Sequence, residues 1–400
     1  MRLLCVHQNF PGQFRDLAPK LVGRGHQIKA ISSGNRESNP EIEILRYTID
    51  KVERRGIHHL TNETDDWIRR SEQVARQAIQ LREKKWSPDI ILAHPGWGES
   101  LLLRDVFPSS AQILWPELWL RPEHMGITSR HMTLEQCHYL RNKNSLLDAA
   151  LSEADAAVVP TTYQARCFPD RWKHKIEVIH EGIAQELFEQ PRLESLCLGT
   201  SVTLEKGVPV VTFISRNLEP MRGFPEFIRA LPRLQALNPK VVAVIVGGDA
   251  VSYSDAPGDG KTWKQTLLEE VGERLDHKRI HWFGHLQHEE LIKLYRRSDL
   301  HAYLSSAFVL SWSLTEILAC GTPVIARKNP MAAEFIESGV NGFLYEGSNE
   351  DLAKKMALIL RNKEASQNWG SMSRKKLNIL RQDHSITRLE RLMQELAIRY

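Results

Sequence analysis

Val241-Val-Ala-Val-Ile-Val-Gly-Gly248 decides the fold. Six apolar residues in a row, with no polar position between them, do not suit a sheet with one face in water. The run reads as a strand buried on both sides, at the centre of a parallel sheet. Working outward, VPVVTFIS at 208–215, IHWFG at 280–284, LHAYLS at 300–305 and PVIAR at 323–327 read as its neighbours. Helical windows at about 222–237, 262–275, 288–298 and 311–320 separate them. Strands alternating with helices of that length imply parallel sheets covered on both faces. The first half repeats the rhythm with LLCV at 3–6, QIKAIS at 27–32, DIILA at 89–93, QILW at 112–115 and AAVVPT at 156–161. Helical windows lie at 65–84, where Trp67, Val74, Ala75, Ala78 and Ile79 recur at helical spacing, and at 130–151. Two series predict an α/β protein of two Rossmann-like doubly wound domains, at 1–190 and 208–380, facing each other across a cleft. The stretch 191–207 has no sustained period and carries Pro and Gly, so it reads as a linker. A C-terminal helix at 381–400 is expected to pack back on the first domain.

A chain of 400 residues, 42% hydrophobic and 26% charged, has the composition of a folded two-domain protein. That excludes a disordered chain, a collagen-like repeat and a disulfide miniature. Lys and Arg number 53 against 49 Asp and Glu, a formal charge of +4. So mild a balance calls for no nucleic-acid partner, but it permits an anionic substrate or a peripheral membrane contact. Cys5, Cys137, Cys167, Cys197 and Cys320 form no C-x-x-C pair, and an odd number fits a reducing compartment. The opening MRLLCV reads as a strand rather than a secretion signal, and no apolar run reaches spanning length. The expectation is a cytoplasmic protein, with peripheral contact at the inner face of the membrane permitted.

Ligands of open α/β sheets sit beyond the carboxyl ends of strands, so chemistry is sought in the loops there. In HQNFPGQFR at 7–15, Gly12 either lets backbone amides approach an anion or simply makes a tight turn. His94, directly after the run DIILA, is either a donor, acceptor or base near neutral pH or a core histidine. SRNLEPMRG at 215–223 ends a strand and opens a helix with Arg216 and Arg222, a pair suited to gripping a diphosphate; the other reading is an ion pair with Glu219. Glu316 lies among Leu314, Ile317, Leu318 and Ala319, so it needs a partner, either vicinal hydroxyls of a ribose or a neighbouring Arg or Lys. His277, His281, His285 and His288 straddle a strand and its turns and point different ways, so no metal is expected from them. Asp255 and Asp259 lack a cation loop's ligand series, and Arg69, Arg70, Arg76, Arg82, Lys84 and Lys85 read as a solvated helix face or one turned to an anionic membrane.

These residues together resemble glycosyltransferase family 4, the retaining GT-B enzymes. The resemblance rests on Arg216/Arg222-Gly223, VIVGGD, FGHLQHEELIKLYRRSD at 283–299, Glu316-Ile-Leu-Ala-Cys-Gly-Thr-Pro-Val, and Glu334 with Asn341-Gly-Phe-Leu344. The first half matches more loosely, through the Gly12 loop, RGH at 24–26 and VIHEGI at 178–183, where the family commonly ends its first domain. The resemblance implies transfer of a sugar from a nucleoside-diphosphate-sugar donor to a glycan, lipid-linked or small-molecule acceptor, with no metal and no other cofactor. It implies that Arg216 and Arg222 hold the diphosphate, Glu316 binds the ribose, and Gly284, His285 and Leu286 frame the base. The Gly12 loop would approach the phosphates, and His94 would lie beside the reacting sugar.

Two positions depart from the family pattern. Phe308 stands where a glutamate usually contacts the donor sugar, eight residues before Glu316, so the backbone of Val309, Leu310 and Ser311 is expected to take over. Arg222 stands one residue beyond a usual lysine and keeps the charge. Acceptor contacts are expected around Trp97, Glu99, Glu117 and Trp119. A nucleotide-sugar epimerase or hydrolase, or a catalytically weak binding protein, remains open on the same frame.

Overall fold

The computed structural model describes residues 1–36, 38–50, 56, 58–127, 132–199 and 202–400. The chain divides into two units, the first Met1–Glu123, Ile127–Gly182 and Gln382–Tyr400, the second His124–Gly126 and Ile183–Arg381.

The first unit is built on β1 (Arg2–Val6), β2 (Gln27–Ser32), β3 (Glu43–Arg46), β4 (Ile90–Ala93), β5 (Ala111–Leu114), β6 (Ala156–Val159) and β7 (Ile176–Val178). They form one seven-stranded sheet in the order β3-β2-β1-β4-β5-β6-β7, and every pairing is parallel. Side chains alternate between the faces. Leu3, Cys5, Ile90, Leu92 and Ile113 pack with Leu17 and Leu21 on one side, joined by Ile386, Leu389 and Met393 of the last helix, Gln382–Ala397. Leu4, Val6, Ile91, Ala93 and Leu114 pack on the other, with Val74, Ala78 and Leu81 of helix Asn62–Glu83 and Ala150 and Leu151 of helix Leu134–Glu153. The expected return of the C-terminal helix is therefore observed, whereas helix Lys363–Leu377 stays on the second unit.

A short antiparallel hairpin, β8 (Leu196–Leu198) and β9 (Val202–Leu204), comes next. The second unit's main sheet holds β10 (Val210–Asn217), β11 (Val242–Gly248), β12 (Ile280–Phe283), β13 (Leu300–Tyr303), β14 (Val324–Arg327) and β15 (Phe343–Tyr345) in the order β12-β11-β10-β13-β14-β15. All its pairings are parallel, and the VVAVIVGG run is its second strand, buried on both faces.

The linker expectation at 191–207 changes. The division falls between Gly182 and Ile183, and the hairpin belongs to the second unit. Buried Arg297 donates to the carbonyls of Glu205 and Val208, each at 2.7 Å, and Arg192 donates to Arg296 O at 3.1 Å. Two three-residue strands are too short to show a period, which is why the segment reads as a linker. Residues 200 and 201 of it, and 130 and 131 of the window at 130–151, lie outside the described residues. No described helix is long and apolar enough to cross a membrane.

Candidate functional site

In each unit the strand order reverses beside the first strand, between β1 and β4 and again between β10 and β13. Loops leaving such a pair run to opposite faces and open a crevice.

In the first unit that crevice is lined by imidazoles. His7 follows β1 and His94 follows β4, with ring centroids 5.2 Å apart, and Trp97 stacks on His94 at 4.3 Å. The Gly96 amide donates to His94 Nδ1 at 3.1 Å, so the neutral ring carries its proton on Nε2. That nitrogen is buried and has no hydrogen-bond partner; Glu117 Oε1, from the loop after β5, stands 3.6 Å away. Glu117 holds a left-handed backbone (φ 55°), a conformation that costs a non-glycine residue about 1 kcal/mol or more. His7 Nδ1 likewise accepts from the Asn9 amide at 3.0 Å, and burial, helped by His94, pulls its pKa down to about 3. Gly12 (φ 47°) lies against that ring, where a Cβ would come within 2.5 Å of Cε1. Its glycine is needed for this close approach, which favours the tight-turn reading.

In the second unit the crevice is lined by guanidinium groups. β10 ends in Arg216 and Asn217, and a short turn, Pro220–Arg222, leads through Gly223 into helix Phe224–Leu237. Gly223 (φ 78°) is pressed onto the start of the loop after β13, where a Cβ would meet Leu304 O at 2.4 Å. Glu219 does not pair with either arginine. Its Oε2 accepts from the amides of Ser252, Tyr253 and Ser254 at 3.0, 2.9 and 3.0 Å, fastening the loop after β11 to this turn. Arg216 is exposed. Arg222 keeps a buried Nε without a hydrogen-bond partner, and its guanidinium lies 5.2 Å from the centre of the Tyr253 ring. Tyr253 in turn packs against Phe308 at 4.9 Å. A half-buried guanidinium facing aromatic rings rather than a carboxylate is suited to an anion from outside.

Glu316, on helix Trp312–Ala319, is buried and meets His288 Nε2 at 2.9 Å. One partner that the sequence demanded is thus a histidine of the preceding helix, His288–Arg297. Gly284, His285 and Leu286 lead into that helix, with Gly284 and His285 exposed and Leu286 buried. Val309, Leu310 and Ser311 precede the Glu316 helix, and Ser311 Oγ bonds Ser313 Oγ at 2.8 Å. Among the described residues no group of three or more His, Cys, Asp or Glu side chains is placed to hold a metal ion.

Two family models cover most of this framework. Residues 24–188 match the glycosyl transferase family 4 group, and residues 201–376 match glycosyl transferases group 1. The chain is a family 4-like GT-B glycosyltransferase. Among curated relatives it is 25% identical over 269 residues to D-inositol 3-phosphate glycosyltransferase of Stackebrandtia nassauensis, covering 62% of this chain and 58% of that one. It is 26% identical over 200 residues to the enzyme of the same name from Mycobacterium sp. (strain JLS), covering 49% and 42%. The matched stretches thus span about half the length of these relatives. Solved structures agree on the fold over the whole chain. Sucrose-phosphate synthase of Thermosynechococcus elongatus superposes with a TM-score of 0.75 at 16% identity, covering 100% of both chains. Anabaena HepE in complex with UDP-glucose superposes with a TM-score of 0.71 at 18% identity, covering 99% of this chain and 100% of that one.

Within the chain, His94, Trp97 and Glu117 come together in one crevice, Arg222 and Phe308 meet through Tyr253 at the other, and Arg216 lies exposed at the end of β10. Of the other expected acceptor residues, one turns inward and one lines a different cavity. Glu99 is fully buried and accepts from Tyr47 Oη at 3.3 Å, and burial pushes its carboxyl up. Trp119 packs on Phe168 and under Arg171, lining a separate cavity. Sequence reasoning missed His7, Tyr253 and His288. The first and last sit where a strand ends or a helix begins, and that position was itself the available signal.

Proposed function

We propose that this glycosyltransferase moves a sugar, with retention at the anomeric carbon and without a metal, from a nucleoside-diphosphate donor held by the second unit to a hydroxyl acceptor held by the first. The observation that carries the reading is Arg222, whose buried Nε has no hydrogen-bond partner beside the β10–β13 crevice. Arg216 and Arg222 grip the diphosphate, Glu316, steadied by His288, takes the ribose hydroxyls, and the 284–286 loop frames the base. The donor's C–O bond to phosphate breaks, the acceptor oxygen bonds the anomeric carbon, and the acceptor's proton passes to the leaving diphosphate. Negative charge grows on the leaving diphosphate, where fixed guanidinium groups stabilise it more than they stabilise the ground state. His94 Nε2–H and the Glu117 carboxylate orient the acceptor hydroxyl. Tyr253 and Phe308 wall the sugar position, so the donor sugar presents a C–H face there.

UDP-glucose in Anabaena HepE and inositol phosphate in the names of the curated relatives support a nucleotide-sugar donor and a polar acceptor. The test is thermal shift against UDP-, GDP-, ADP- and dTDP-sugars with and without a divalent ion. A metal-independent rise with one nucleotide family is expected, about 2.7 kcal/mol at a hundred times Kd. No shift with any of them overturns the reading.

A further inference from the structure

A cavity of about 450 Å³ opens in the first unit between the loop after β5 and helix Leu134–Glu153. Its lining excludes His94 and Glu117, although Trp119 on its wall follows Glu117 by two residues, a span of at most ~7 Å along the chain. The floor is built. Asn144 clamps the backbone of Leu120, accepting from its amide at 3.0 Å and donating to its carbonyl at 2.9 Å. Arg121 donates to the carbonyls of Cys167 and Arg166 at 2.9 and 2.8 Å. Arg171 lies over Trp119 at 5.4 Å and donates to Asp148 at 2.7 Å. The lining thus carries the guanidinium groups of Arg121, Arg141 and Arg171 against the single carboxylate of Asp148, while Leu120, Pro122 and Leu140 supply an apolar side.

We propose that this cavity binds an amphiphilic phosphate monoester, its phosphate on Arg141 and Arg171 and its apolar portion along Leu120, Pro122 and Leu140. Net positive charge selects an anion, and the planar guanidinium groups match phosphate oxygens in pairs. The apolar side favours a ligand with a hydrocarbon portion over free phosphate, which leaves that surface uncovered. Resting on the reading of the first unit as the acceptor's side, the cavity makes the acceptor a phosphate-bearing amphiphile whose hydroxyl reaches Glu117 while its phosphate is held at Trp119.

The test is calorimetric titration of the full chain with n-octyl phosphate, n-octyl glucoside and inorganic phosphate, each below its micellar range where one exists. Octyl phosphate is expected to bind at least tenfold more tightly than either of the others. Arg141→Gln with Arg171→Gln, both at exposed positions, is expected to lower its affinity tenfold or more. Asp148→Asn, which keeps an acceptor for Arg171, is expected to tighten it severalfold. Equal binding of octyl glucoside, equal binding of inorganic phosphate, or no loss in the double variant overturns the proposal, as does unchanged or weaker binding in Asp148→Asn. Titration of the same samples with UDP, GDP, ADP and dTDP keeps the two ideas apart. Octyl phosphate binding without any nucleotide binding removes the transferase reading and leaves the cavity assigned; the reverse removes only the cavity's role.

Discussion

At the β1–β4 switch both strands run into histidines, and at the β10–β13 switch the end of β10 and the turn after it carry arginines, although the two sheets share one winding order. The first crevice hides its polar groups. His7 and His94 each spend Nδ1 on the amide two residues on, and His180 after β7 does the same with Gly182 at 2.9 Å. The second crevice leaves charge available, because Glu219 is consumed by the amides of the 252–254 loop instead of neutralising Arg222. One topology thus supplies a site of buried, hydrogen-bonded imidazoles and a cationic one, and the difference lies in what each side chain is bonded to.

The comparison breaks most visibly at Arg222. Arg222→Ala is expected to lower transfer by about 10²–10³-fold while circular dichroism and melting stay close to wild type, since the lost cation–π contact is worth about 1 kcal/mol. Transfer within a few-fold of wild type removes the guanidinium clamp from the mechanism.

Acid separates the units next. Burial holds His7 at about 3 and His180 at about 4, both below the usual 6.5, so the folded state favours the neutral rings. Their contribution is complete above pH 6.5 and is lost as pH falls toward those values. At pH 5 each costs the first unit about 2 kcal/mol. In the second unit His301, bonded to Thr212 at 3.0 Å, is also held at about 3 by burial, and burial lowers His281 as well. Hydrogen exchange at pH 7 and pH 5, corrected for intrinsic rates, should show amides of β1, β4 and β7 losing at least tenfold more protection than those of β10 and β11. Equal loss in both sheets contradicts the assignment.

The smallest effect sharpens the comparison at Glu117. Glycine relieves the left-handed backbone, so Glu117→Gly is expected to raise stability by about 0.5–1 kcal/mol in urea titration while slowing transfer about tenfold. A variant that is both less stable and fully active shows that the strained carboxylate has no part in catalysis.

Much of this was legible beforehand, for identifiable reasons. VVAVIVGG and LLCV announce themselves because a strand covered on both faces has no polar position to confuse its period. β3 (EILR), β7 (IEV) and β15 (FLY) did not, because sheet-edge strands of three or four residues are too short to show a period, and the first two also mix charged with apolar side chains. Arg216, Arg222 and Glu316 were singled out from position and cost, a charge at a strand end, in the turn after it, or inside an apolar helix. Glu99 was misjudged from neighbourhood alone, since one step along the loop turned its carboxylate inward to Tyr47. His288 stood at a helix start, but its pairing with Glu316 was missed because the contact spans 28 residues, a separation that no local pattern reports.

The return of helix Gln382–Ala397 to the first sheet has a consequence for the order of assembly. A chain extended from its N-terminus as far as Arg381 carries all of the second unit, whose core can close at once. The unit begun first is still open, because Ile386, Leu389, Met393 and Leu396 have not been made. Each such side chain is worth roughly 1.5–3 kcal/mol on burial, and together they rival the whole stability of a domain. Synthesis therefore inverts the usual sequence of domain folding. The histidine-bearing half is the last to become stable, and until then its apolar sheet face is the part of the nascent chain that needs shielding.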